Sequence, residues 1–515
     1  MAQDDDHDGL GLAVNIANNE QQPLMRTGSL GGDDIPSLPA QPSAPRPLGM
    51  VTTCFALNIL LEVGLFLITI PLNQVLEEVI CQHSVSPRLP RANAARCKSK
   101  VVQSELSFIR GWQVTFDIIP GLLTAVPYGI MADRYGRELV LGLSVLGGAL
   151  ASSFSMLVCS LPSVFSPRAV WLSSAFGFVG GGTPVFNAIT FAIVGSLVSE
   201  KQRSIVFFYI AATVLGSQLI ASPLVYLLIR VDTWLPMYCG LACLWLATAV
   251  VFSVPRMLVK NHRRVKGREP DKLRVTTART TRQRLVDIGK AAVWFARGNI
   301  LVTVLLLTFL VTSLGRLAQE ILLQYITKRY GWSWSEAGLL LSVQAFLTLM
   351  LLTVILPLAS QTLARKTTLA TQSRSFWLAR VSVLMSALGA FTIGLSERVT
   401  LMSVGLGLFA LGNGYPPLLR SLLASIVDKR QVNMMYTSMS VFETMGSIVA
   451  GPLLAASFRL GMELDGAWIG LPFLVTGCLF GSAAIAVACI SVSSVERKAS
   501  EASEASDIIK VDEFQ

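Results

Sequence analysis

Runs of about twenty apolar residues constrain this chain more than any motif does. Twelve of them occur, at roughly 48–72, 106–130, 139–160, 169–195, 204–229, 236–258, 299–325, 337–358, 378–395, 400–426, 432–458 and 467–491. A helix of that length crosses a hydrocarbon core about 30 Å thick. Within lipid each backbone amide has to be bonded inside the protein, which favours helices. The fold class expected is therefore an all-α membrane protein with twelve transmembrane helices. Its composition, 52% hydrophobic and 14% charged with a mean hydropathy of +0.58, excludes an ordinary soluble globule.

The formal charge of +10 would suit nucleic acid. The basic excess, however, lies in loops between apolar runs, so the lipid bilayer with its anionic headgroups is the partner expected and nucleic acid is not. His7, His83 and His262 all fall outside the runs. That leaves no histidine-based metal site and no buried histidine relay, and neither metal nor cofactor is expected.

Residues 1–47 begin with Asp4, Asp5 and Asp6, then turn rich in Gly, Ser and Pro without apolar period. They read as a disordered cytoplasmic tail. Residues 48–258 make a first six-helix bundle, 259–298 a basic linker, 299–491 a second bundle and 492–515 a C-terminal tail. Between Lys260 and Lys290 the linker is so dense in Lys and Arg that it belongs on the cytoplasmic side, which puts both tails there too. One loop dissents, since 81–105 would lie outside yet holds Arg88, Arg91, Arg96, Lys98 and Lys100. The stretch Leu285–Arg297 has the spacing of an interfacial helix. Cys81 and Cys97 flank the polar part of the outer loop, and a disulfide between them is expected to add about 3 kcal/mol.

A weak repeat relates the two groups of six. Ser196–Lys201 ends the fourth run and Ser425–Lys429 the tenth, and each is followed by a run in which a glycine precedes a proline, Gly216 and Pro223, then Gly446 and Pro452. Two pseudo-symmetric bundles facing a central cavity are the architecture this implies.

Between the second and third runs lies Gly129-Ile130-Met131-Ala132-Asp133-Arg134-Tyr135-Gly136-Arg137. Gly129 permits close helix approach, Gly136 permits a positive φ, and Asp133 can sit against the positive end of a neighbouring helix. The spacing resembles the signature of the major facilitator superfamily, Gly-x-x-x-Asp-Arg-x-Gly-Arg, except that Glu138 stands where that pattern continues with a basic residue. The resemblance implies that Gly129, Asp133, Arg134, Gly136 and Arg137 form the conformational switch between two access states.

Further motifs resemble fungal exporters of natural products and drugs in that superfamily. They are Val102-Gln103-Ser104-Glu105-Leu106, Gln324-Tyr325 with Gly331-Trp332-Ser333, Leu378-Ala379-Arg380-Val381-Ser382, and Trp468-x-Gly470-Leu471-Pro472-Phe473. Phe176 stands where proton-coupled antiporters carry an arginine, so the antiport signature is partial.

A charge in the hydrocarbon core is costly enough that buried ionisable residues are functional candidates. Glu62 in the first run, Asp117 in the second and Glu443 in the eleventh are the candidates for proton coupling; a lasting ion pair is the alternative for Glu62, and helix packing is the alternative for Glu443. Arg316 and Glu320, one turn apart, are placed to pair. Asn58, Asn187, Gln218, Arg316, Gln344 and Asn413 are candidates to line a substrate cavity, and the alternative for the amides is helix-to-helix packing.

The function these readings favour is secondary active transport without covalent chemistry, so not an enzyme. A monomer would export a small organic compound by alternating access, with protons as the coupling ion, from the plasma membrane or, alternatively, the vacuolar membrane. Proton-coupled uptake of a sugar, amino acid, peptide or organic acid is the rival within transport, and a non-transporting membrane sensor the rival outside it.

Overall fold

The computed structural model describes residues 47–84, 97–197, 200–253, 300–366, 371–427, 432–498 and 500. The basic linker and the expected interfacial helix at 285–297 lie outside the described residues. Helices α1 (Pro47–Ser84), α2 (Lys100–Tyr135) and α3 (Arg137–Ser160) lead into a 3-10 segment, Pro167–Phe178, and α4 (Gly182–Leu197). Helices α5 (Glu200–Ile229) and α6 (Leu235–Ser253) complete the first group. The second group starts with α7 (Ile300–Arg329), α8 (Trp334–Met350), a π turn at Leu351–Ile355 and α9 (Leu356–Lys366). It ends with α10 (Thr371–Leu395), α11 (Val399–Gly412), α12 (Tyr415–Ile426), α13 (Val432–Leu464) and α14 (Leu471–Cys489). No strand occurs among the described residues.

Among the described residues, 11 helical segments are long and apolar enough to cross a bilayer. The twelfth crossing is the pair α11 and α12. At 14 and 12 residues each is too short alone, because Gly412-Asn413-Gly414 loosens the backbone and Pro416 and Pro417 remove two amide donors. The fourth crossing is interrupted as well. Gly180, Gly181 and Gly182 take φ of 90°, 81° and 63°, and a Cβ on Gly180 would lie 2.2 Å from Leu143 C. In the eighth, Pro357 cannot donate to the preceding turn, and the helix widens into the π turn just before it.

The first helix runs 12 residues past the apolar run that predicts it. Leu72, Val75, Leu76, Val79 and Ile80 are all buried and keep the helical period beyond the hydrocarbon-length stretch. At the other end of the fold, Ser333 and Glu336 form a reciprocal capping box that starts α8, with Glu336 N–H donating to Ser333 Oγ at 3.2 Å and Ser333 N–H to Glu336 Oε2 at 2.9 Å.

Helices α1, α5 and α6 pack together in the first group, and α10 with α11 and α14 in the second. The groups meet along α2 with α13 and α5 with α8. At the first of these seams a Cβ added to Gly451 would lie 2.2 Å from the carbonyl oxygen of Gly111, so the two backbones touch directly. Thr115 Oγ1 donates to Ile448 O at 2.9 Å one turn further on. The seam does not extend along the whole of α2. Its buried residues run from Val102 to Gly121, and after that only Ala132 is buried. Helix α9 buries none. One end of the bundle, that of Cys81, Lys100 and Asp465, is therefore closed, and the end carrying Gly136 and Lys366 is splayed.

Candidate functional site

The expected proton-coupling residues have three different surroundings. Glu62 is half-buried midway along α1 and has no hydrogen bond or ion pair among the described residues. Asp117 accepts a hydrogen bond from Ser174 Oγ of the 3-10 segment. Glu443 is ion-paired, with Arg420 Nη2 at 2.7 Å from its Oε2. Sequence reasoning treats Arg420 as reaching headgroups, whereas the side chain turns instead across the helix boundary to Glu443 and lies over the ring of Phe309 at 5.8 Å.

The pairing expected along α7 is replaced by one across the seam. Glu320 lies 3.5 Å from Arg110 Nη2 of α2, and the side chain of Arg316 is outside those described. Arg110 was not singled out by sequence reasoning, because it sits near the start of a run and reads as an interfacial residue. Together with Asn73, Ser107, Gln324 and Trp334 these two residues line a small pocket just inside the closed end.

Of the amides expected in a cavity, Asn58 is buried and donates from Nδ2 to Thr213 Oγ1 at 2.5 Å, tying α1 to α5. Asn413 donates to Thr348 Oγ1 at 3.0 Å, tying the break in the tenth crossing to α8. Gln344 is 2% exposed and neither of its amide atoms finds a protein partner. Asn187 is exposed and Gln218 half-buried.

In the turn at 129–137, Gly136 has φ 111° and separates α2 from α3. Arg137 Nη1 donates to Ala192 O of α4 at 2.7 Å, and Arg134 stacks on Tyr135 at 5.5 Å. Asp133 is exposed at the splayed end, and Gly129 has open space where a Cβ would be.

The other motifs resolve into staples. Arg380 donates to the carbonyls of Val487 and Ala488 at 3.3 and 3.2 Å, and also to Ile490 O, so it caps the C-terminal end of α14. Glu105 takes a two-pronged contact from Arg168 at 2.6 and 3.2 Å. Tyr325 donates to Ile393 O at 2.9 Å. Cys81 and Cys97 are disulfide-bonded, 16 residues apart in sequence.

The most populated polar cluster is one that sequence reasoning missed. Glu77, 4% exposed, lies 2.8 Å from Lys98 Nζ, accepts from Trp334 Nε1 at 2.5 Å and accepts from Gln103 Nε2. Gln324 Nε2 in turn donates to Gln103 O at 2.7 Å and Oε1 at 3.0 Å. The available signal was the helical period of Leu72–Ile80, which carries Glu77 into the fold instead of leaving it in a loop.

Two facing groups of membrane-crossing helices, closed at one end and lined with isolated polar groups, define a polytopic carrier. The sequence pattern of the Major Facilitator Superfamily matches residues 104–415, and the chain belongs to that family, whose members are transporters and not enzymes. It is 30% identical over 497 residues to the MFS efflux pump atnC of Emericella nidulans, covering 91% of this chain and 94% of that protein. With the efflux pump ustT of Aspergillus flavus it shares 26%, over 82% and 84% of the two chains. In fold it is similar to a D-xylose–proton symporter (TM-score 0.60, 14% identity, 86% of this chain and 97% of that one). It is also similar in fold to a bacterial homologue of the human lysosomal transporter Spinster in an inward-facing, unoccupied conformation (TM-score 0.57, 14% identity, 90% and 99%). The chain is thus a multi-pass integral membrane transporter of small molecules.

Proposed function

We propose that the protein exports a small organic compound, such as a secondary metabolite, toxin or drug, by alternating access coupled to protons. The observation that carries this reading is Glu62. A carboxyl midway across the membrane, half-accessible and without a partner among the described residues, is free to exchange a proton as access changes sides. The direction, export, is supported by the relatives whose names call them efflux pumps. In this reading the tails and the linker 259–298 face the cytoplasm, residues 48–258 and 299–491 move as the two halves, and the splayed end with Asp133 opens inward. The protein acts as a monomer in the plasma membrane.

Transport of a compound panel into inside-out vesicles with an imposed pH gradient tests the proposal. Accumulation that collapses with the gradient, and that is lost in Glu62→Gln, is the expected result. Accumulation indifferent to the gradient, or only into right-side-out vesicles, would overturn the coupling or the direction respectively.

A further inference from the structure

At the closed end, residues from both halves converge on one carboxylate. Glu77 of α1, Lys98 and Gln103 come from the first half, and Trp334 of α8, Gln324 and Lys328 of α7 from the second. Gln103, Gln324 and Trp334 are 0%, 4% and 4% exposed, so the cluster is withdrawn from water. Three of the motifs identified in the sequence meet here, at Gln103, at Gln324 and immediately after Gly331-Trp332-Ser333.

The division of charge between the halves is uneven. The cation that balances Glu77 belongs to the same half. It is Lys98, the residue next to Cys97, whose disulfide to Cys81 anchors it one helical turn from Glu77 on α1. Across the seam the second half offers only an uncharged indole N–H to the carboxylate and an uncharged amide to Gln103. The ammonium of Lys328 meets a backbone carbonyl, Lys98 O, at 2.5 Å.

We propose that Glu77 is the latch of the outer gate, and that its charge is balanced within its own half by Lys98, held in place by the Cys81–Cys97 disulfide. Parting the halves then breaks hydrogen bonds from neutral donors or to neutral acceptors, together with the contact of Lys98 on the Trp334 ring at 4.9 Å. It separates no buried ion pair. A gate tied by a buried cation–anion pair across the seam would leave two uncompensated charges on opening, and such a gate opens rarely. Here Glu77 and Lys98 travel together and the latch can release and re-form in each cycle. Lys98 and the disulfide are positioning groups in this scheme. The inference rests on the alternating-access reading, but not on its substrate or coupling ion.

The test is the reactivity of one reporter thiol. Ser107, buried and lining the pocket beneath the cluster, is replaced by cysteine in a chain whose six free cysteines are alanine. Modification by an impermeant maleimide is followed on purified protein in nanodiscs, without substrate. Lys98→Met leaves Glu77 buried and unbalanced, so labelling is expected to rise at least about tenfold. Adding Glu77→Gln removes that charge and is expected to return labelling to within about twofold of the parent, because a buried pair replaced on both sides costs little. Trp334→Phe, which deletes one neutral donor, is expected to raise labelling by a few-fold at most. Unchanged labelling in Lys98→Met, or a double variant as reactive as the single, would overturn the proposal. If Lys98→Met does not fold, the Cys81→Ser, Cys97→Ser chain with and without Glu77→Gln makes the same comparison. A chain that passes these tests yet transports nothing would refute the export reading and leave the latch standing.

Discussion

The carboxylate of Glu443 and the guanidinium of Arg420 meet at 2.7 Å, joining the broken tenth crossing to α13. The glutamate side chain is 17% exposed and the arginine 45%. Removing the arginine alone therefore leaves a largely buried anion, at a cost of about 1–2 kcal/mol after allowing for exposure. Arg420→Leu is expected to lower the melting temperature of the purified protein, and Glu443→Gln in the same chain to restore most of it. Equal melting temperatures for parent and Arg420→Leu would show the pair to be incidental to stability.

Glu62 lacks any such partner among the described residues, and its replacement is expected to act on coupling instead of folding. Glu62→Gln keeps shape and hydrogen-bonding capacity but cannot titrate, so uphill accumulation is lost while downhill exchange and substrate binding persist. Glu62→Asp retains partial accumulation with a displaced pH profile. Uphill transport by Glu62→Gln with the parent's pH profile would move the proton site elsewhere, with Asp117 first in line.

Asp133 stands exposed at the splayed end, as expected of a group whose contact belongs to the opposite access state. There its carboxylate would meet a helix N-terminus when the splayed end closes. Asp133→Asn is expected to lower transport at least about tenfold, a coupling of about 1.4 kcal/mol between the two states. Expression and membrane insertion should match the parent. Parental transport rates in that variant would reduce the turn to a topological signal.

Gly451 allows no side chain in the closed state, since its Cβ would lie 2.2 Å from Gly111 O. Gly451→Val is expected to hold the halves apart at the outer end. Spin labels on Val164→Cys and Leu464→Cys, both exposed at that end, should then report a longer and broader distance distribution than in Gly451. An unaltered distribution would mean that the backbones yield sideways.

The hydrophobic runs made most of this fold legible, because a bilayer turns length and apolarity directly into a helix. They also set the limits of what was legible. The tenth run looked continuous although Gly412-Asn413-Gly414 and Pro416-Pro417 stood in it, since hydropathy is blind to backbone freedom. The closing cluster was illegible for another reason. Trp334 and Glu77 are 257 residues apart and Gln324 and Gln103 221, and no local pattern encodes which buried amide faces which carboxylate. Arg380 shows the converse, a motif residue that invited a functional reading and serves to cap a helix.

The bare contact of Gly111 with Gly451 has an electrical consequence. Two main chains pressed together leave no file of water and little polarisable matter between the outer solution and the space beneath. A membrane potential falls where conductance is least, so much of it drops across this thin layer and little along the splayed side. Each elementary charge carried through the full drop exchanges about 2.3 kcal/mol per 100 mV with the field. The Gly111–Gly451 crossing is thus a dielectric septum, and the depth of a charge relative to it decides how strongly voltage acts on that charge.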